Sequence, residues 1–208
     1  MPEITSPMDI EKRSFEIITE TLGHRVLDPE NEAIIKRVIH ASADFDYADT
    51  LTFSEHAVSK GIAAMREGCD IVTDTQMARA GINKRILESL GGTVHCFMSD
   101  PDVAEEAKSR GVTRAMVSME KAARLPKNCI YAIGNAPTAL YVLKELMDKG
   151  KLNAALIIAV PVGFVNVVES KELIISSNTP YIAARGRKGG STVAAAICNA
   201  MLYQIRRD

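Results

Sequence analysis

The sequence predicts an α/β fold: a doubly wound, mostly parallel sheet of about five strands, flanked by helices, with a helical N-terminal region. Two observations carry this. From residue 70 onward, short continuous apolar runs alternate with amphipathic stretches, the pattern of parallel strands covered on both faces by crossover helices. Before residue 70 the apolar residues recur at helical spacing. At 208 residues, one domain spanning 1–208 is favoured over two, and it is long enough to bury a sizeable core.

The elements follow in order. Ile10, Phe15, Ile17, Ile18 and Leu22 mark a first helix that Gly23 stops. A second begins near Pro29, buries Ile34, Ile35, Val38 and Ile39, and fades over 42–44. A third starts near Ser54, carries Ala57, Val58, Ile62 and Met65, and stops at Gly68. Strands are then expected at 71–73, 94–98, 129–133, 155–160 and 181–184. Helices are expected at 76–90, 102–109, 114–125, 137–149, 169–174 and 191–205. Each strand-helix-strand crossover should be right-handed.

Composition narrows the function. Lys and Arg number 25 against 26 Asp and Glu, for a net charge of −1. That balance excludes a broad nucleic-acid surface, which calls for a basic domain, so an anionic partner has to be met by a local cation cluster. Met1–Thr5 lacks the basic-then-apolar layout of a signal peptide. The longest uncharged run, 154–168, is too short for a membrane span and is broken by Pro161, Gly163 and Asn166. Cys69, Cys96, Cys129 and Cys198 form no CxxC pair and no metal-finger spacing. Reduced, buried thiols and a cytoplasmic location are expected, with no metal site and no membrane contact.

In open α/β sheets ligands collect where strands lead into helices. Four such loops have unusual composition here: Thr73-Asp74-Thr75-Gln76-Met77, Ile133-Gly134-Asn135-Ala136-Pro137-Thr138, Val160-Pro161-Val162-Gly163-Phe164, and Arg185-Gly186-Arg187-Lys188-Gly189-Gly190-Ser191. Taken singly, any of them could be no more than an efficient turn. The last places three cations among three glycines just before a helix start. Free N–H groups and the helix dipole favour an anion there, and Arg185, Arg187 and Lys188 add charge-assisted bonds to carboxylate or phosphate. Neither a Walker sequence nor GxGxxG is present. In the second helix, Arg37 and His40 are three apart and share a face. The C-terminal dipole favours an imidazolium, which makes His40 a candidate proton donor. His24, His56 and His95 read as structural or solvated, and no HxxxH spacing involves any histidine.

These residues, with their flanks, resemble the precorrin-8X (cobalt-precorrin-8) methylmutase family of cobalamin biosynthesis. The likeness runs from Arg13-Ser14-Phe15 through Val38-Ile39-His40-Ala41, Asp74-Thr75, Asp100-Pro101 and Gly111-Val112-Thr113-Arg114. It continues through the IGNAPTAL segment from Ile133, the VPVGFV segment from Val160, Glu169-Ser170-Lys171-Glu172 and the RGRKGGS segment from Arg185, covering essentially the whole chain. The resemblance implies an isomerase that moves one methyl group of a corrin precursor from carbon 11 to carbon 12 of ring C. It needs no redox cofactor or methyl donor, and any cobalt belongs to the substrate. It places the catalytic histidine at His40 and substrate contacts at Ser14 and Arg37, and it implies a homodimer with substrate near the subunit interface. Arg114, Arg185, Arg187 and Lys188 are the further cations suited to the acetate and propionate arms of such a macrocycle. Asn166-Val167 and Ala115-Met116 depart from the usual family residues without touching the histidine motif, and 44–47 looks more like the cobalt-containing branch. Two other readings stay open on the residues alone: a corrinoid carrier without turnover, and an α/β enzyme holding a nucleotide phosphate at the 185–191 loop.

Overall fold

The computed structural model describes residues 6–207. Six strands form one sheet: β1 (Leu51–Phe53), β2 (Asp70–Thr73), β3 (Val94–His95), β4 (Cys129–Ile133), β5 (Ala154–Ala159) and β6 (Tyr181–Ala184). Their spatial order is β1-β6-β5-β4-β2-β3, with β1 antiparallel to β6 and every other pair parallel. The expectation of about five strands therefore misses one. β1 is three residues long and exists through its pairing, Leu51 to Ala184 and Phe53 to Ile182. β3 is shorter than predicted because only Val94 and His95 find partners, on β2. After β2 the chain steps outward to β3, then returns past β2 to build β4, β5 and β6 in the other direction. The reversal puts the topological switch point between the carboxyl ends of β2 and β4.

Alternate strand residues serve two helical layers, as the pleat requires. Ile71, Ile130, Ala132, Leu156 and Ile158 face the first layer, and Val72, Tyr131, Ile133, Ile157 and Ala159 the second. The first layer contains α1 (Pro7–Leu22), α2 (Glu32–Ser42), α4 (Ala57–Arg66), α5 (Gln76–Gly81), α6 (Lys84–Ser89) and α11 (Ser191–Arg207). α11 lies at its centre, burying Val193, Ala194, Ile197, Cys198, Met201 and Leu202. The second layer contains α8 (Arg114–Ala122), α9 (Pro137–Asp148) and α10 (Val167–Ile175), with α7 (Pro101–Arg110) packed on α8. A single turn, α3 (Tyr47–Thr50), leads into β1.

The predicted helix 76–90 is two helices. Asn83 ends the first run by capping the second, its side chain accepting from the Ile86 N–H at 3.2 Å, while its own N–H donates to Asn199 Oδ1 on α11 at 2.8 Å. All four cysteines are free and buried. Burial pushes the Cys69 thiol up to about 12 and Cys129 to about 11, so both stay protonated and unreactive near neutrality. No helix among the described residues is long and apolar enough to cross a membrane.

Candidate active site

His40 lies in the last turn of α2 with its side chain exposed. Its ring stacks on Phe15 of α1, with centroids 5.2 Å apart and planes 13° from parallel. The Arg37 guanidinium lies 4.7 Å from the Phe15 centroid and 5.1 Å from that of Tyr203 on α11. It also bonds Glu11 of α1 at 2.7 Å. Three helices thus hold one continuous stack, Tyr203, Arg37, Phe15 and His40. Cation–π contacts of this kind favour a fixed guanidinium, and the stack sets the imidazole plane while leaving its edges open.

The stack borders a cleft of about 820 Å³ lined by Pro7, Ile10, Glu11, Arg37, His40, Asn83 and Tyr203. A neighbouring hollow of about 1040 Å³ between α1, α2 and α11 shares Glu11, Arg37 and Tyr203 with it. Both volumes suit a large organic ligand. Helical spacing predicts the pairing of Arg37 with His40, and the cleft contains both. Ser14 stands one turn beyond Ile10 on α1 but lines neither hollow, and its hydroxyl donates back to the Ile10 carbonyl at 2.8 Å.

The switch point between β2 and β4 is filled from within. Asp74 is fully buried and accepts the N–H groups of Gly134, Asn135 and Ala136 at 2.8, 2.8 and 2.6 Å. Burial pushes its carboxyl up, and the three N–H donors pull it back. Thr75 Oγ1 and Ser191 Oγ meet at 2.7 Å. A Cβ on Gly134 would lie 2.8 Å from the Ser191 Cα, so only glycine lets the two loops close on each other.

The other predicted cations lie along the same sheet edge. Arg185 bonds both oxygens of Glu172 at 2.7 Å, and Lys188 bonds Asp44 and Asp46 at 2.6 Å each. The latter bonds tie the 185–190 loop to the segment that leaves α2 just after His40. Arg187 faces the Phe164 ring at 5.7 Å. Arg114 opens α8 beside Thr113, whose hydroxyl meets that of Thr138 at 2.9 Å. It therefore belongs to the layer opposite His40. None of Arg114, Arg185, Arg187 and Lys188 lines the His40 cleft. Among the described residues no carboxylate pairs with Arg114 or Arg187, while Arg185 and Lys188 are internally satisfied.

The spacing of the sequence misses Phe15, Glu11 and Tyr203 as partners of Arg37, because they join it only through tertiary packing. It also misses Lys171 of α10, which is fully buried and donates to the carbonyls of Gly186 and Lys188 at 2.8 Å each. A signal was present. Val167, Ser170, Lys171 and Ile174 form the buried stripe of α10, so the lysine occupies a core position of the helical period.

A family profile described as precorrin-8X methylmutase matches residues 9–204. The chain is 47% identical to a cobalt-precorrin-8 methylmutase of Salmonella typhimurium, covering 99% of each chain. It is 46% identical to that of Priestia megaterium, over 96% of this chain and 89% of the relative. A crystal structure of precorrin-8X methyl mutase from Thermus thermophilus is similar at a TM-score of 0.87 and 35% identity, covering 94% of this chain and 95% of that one.

Proposed function

The chain belongs to the precorrin-8X methylmutase family, and on that premise we propose that His40 serves the methyl shift of this cobalamin-pathway isomerase. The shift takes one methyl group of (cobalt-)precorrin-8 from carbon 11 to carbon 12 of ring C. The bond from C11 to the methyl carbon breaks as the bond to C12 forms, and the product, cobyrinic or hydrogenobyrinic acid, is an isomer of the substrate. Atoms and electrons balance within the macrocycle, so the step calls for no redox cofactor and no methyl donor. Any cobalt is part of the substrate.

The observation that carries the reading is the cleft that brings His40 and Arg37 together on one aromatic stack. A proton lent by His40 to the conjugated ligand makes the migration terminus electron-poor, and the same proton returns once the methyl has moved. General acid assistance of this kind is worth about 10²–10⁴-fold. Arg37, held by Glu11 and two rings, offers its remaining N–H groups to a substrate carboxylate in a fixed direction, and Ser14 orients the macrocycle alongside. Arg114, Arg187 and, after exchange of their internal partners, Arg185 and Lys188 meet further acidic arms. Reduced, buried thiols suit a cytoplasmic enzyme.

The working unit is a homodimer. Val162, Phe164 and Val165 stand 47%, 82% and 76% exposed beside the sheet edge, and such an apolar rim suits a protein interface. Arg114 sits on the layer away from His40, so a second copy can supply it. Light scattering at micromolar concentration should give twice the chain mass; a fully active monomer would contradict this.

The test of the chemistry is single-turnover conversion by His40→Ala, followed by absorption. Methyl migration should fall by about 10²-fold or more, while cobyrinic acid still binds. Conversion near the wild-type rate would make His40 structural. Binding without any turnover by the wild-type protein would point instead to a carrier.

A further inference from the structure

We propose that Lys171 is a positioning residue for carboxylate binding: its buried ammonium turns the Gly186 and Lys188 carbonyls inward, leaving the N–H groups of the 186–189 loop and the Arg187 side chain to an acidic arm of the substrate. This rests on the methylmutase reading and names a component of substrate binding.

The lysine is fully buried, and among the described residues no carboxylate lies within ion-pair distance. Burying an ammonium without a counterion is expensive, and a Leu or Met would fill the same space in α10 at no such cost. Its two bonds explain its presence. The Arg187 carbonyl, between the two that Lys171 holds, accepts the Gly163 N–H at 3.2 Å. Three successive carbonyls are thus engaged by other parts of the chain, while the N–H groups of Gly186, Arg187, Lys188 and Gly189 meet no acceptor among the described residues. Gly186, at φ 77°, makes the reversal possible. Successive amides freed in this way are available to an anion. The ammonium beneath adds a positive charge that solvent screens little.

The charged groups around Lys171 are Glu169 and Glu172 on its own helix, Arg185, Arg187 and Lys188 on the loop, and Asp44 and Asp46 bonded to Lys188. α9 contributes Lys144 and Asp148, paired with each other near the far end of α10, and β6 contributes Tyr181. Burial alone lowers the Lys171 ammonium to about 8, so the charge is present at neutral pH and lost just above it.

Lys171→Met keeps the length and removes the charge and donors. Titrated with cobyrinic acid, it should bind about tenfold or more weakly than wild type, as expected for a lost charge-assisted interaction. With cobalt-precorrin-8, KM should rise while kcat stays within about threefold, because the proposed role is in binding and the loop does not line the His40 cleft. Lys171→Arg, which keeps a cationic donor, should recover part of the affinity. If the methionine variant does not fold, the wild-type protein serves: its affinity for cobyrinic acid should fall as pH rises through about 8. Affinity of Lys171→Met within twofold of wild type would overturn the proposal, as would a flat wild-type profile between pH 7 and 9. Wild-type protein that fails to bind cobyrinic acid at all would overturn both this and the methylmutase reading.

Discussion

Two glycine-bearing loops at the carboxyl edge of the sheet use a buried polar side chain in opposite ways. At the β2–β4 switch point the buried group is an acceptor, the Asp74 carboxyl, and it takes three successive N–H groups for itself. After β6 the buried group is a donor, Lys171, and it takes carbonyls, leaving four successive N–H groups without an acceptor among the described residues. Whether the internal side chain accepts or donates decides whether such a loop is closed or offered to a ligand. The switch point, where open α/β sheets ordinarily bind ligands, is here a structural junction sealed by Gly134 against Ser191. The His40 cleft opens to one side of it, between α1, α2 and α11.

Removing the internal acceptor should break this contrast most severely. Asp74→Ala leaves three inward-facing N–H groups without their acceptor, and each buried unpaired donor costs about 1–3 kcal/mol. Urea unfolding should show a loss of about 3 kcal/mol or more, a large share of the 5–15 kcal/mol typical of a domain. Asp74→Asn should do little better, since its amide nitrogen is a donor facing donors. A loss under about 1 kcal/mol would mean that water or backbone shifts replace the carboxylate.

Much of this was legible in the sequence, for identifiable reasons. Continuous apolar runs located β2, β4, β5 and β6, because strands buried on both faces carry few polar residues. Spacing put Arg37 and His40 on one face of α2. What was hidden depends on partners distant in sequence. The 76–90 helix reads as one because Ala78, Ile82 and Ile86 keep a helical period straight through the break; Asn199, more than a hundred residues later, helps make it two. β1 has no pattern of its own beyond its pairing with β6. The composition of the 185–191 loop pointed to anion binding, but not to the internal pairing of Arg185 with Glu172 or of Lys188 with Asp44 and Asp46.

That internal pairing sharpens the contrast within the open loop itself. Arg187→Ala removes a guanidinium that faces the Phe164 ring and pairs with no carboxylate among the described residues, and should weaken cobyrinic acid binding by about tenfold, the low end for a charge-assisted bond. Arg185→Ala should cost less, about threefold, because Arg185 must first give up both Glu172 oxygens, an exchange that offsets part of its gain. Parallel titrations of the two variants separate the cases. Equal losses would mean that the cations act as one diffuse field rather than as individual contacts.

A further effect concerns the stability cost of the internal cation, and its direction follows from linkage. An ordinary lysine titrates near 10.5, whereas Lys171 in the folded protein titrates near about 8. Below the lower value both folded and unfolded chains hold the proton, and the fold bears the whole cost of a buried ammonium. Between the two values the unfolded chain keeps a proton that the folded chain has released, so stability from this residue rises with pH. Above the higher value both are neutral and the difference is gone. Lys171→Met lacks this contribution, so its stability relative to wild type should decline as pH climbs from 8 to 9, by on the order of 1 kcal/mol. Urea unfolding of both proteins at each pH isolates the term, since every other titrating group is shared. A constant gap between wild type and Lys171→Met would mean that Lys171 keeps its proton throughout.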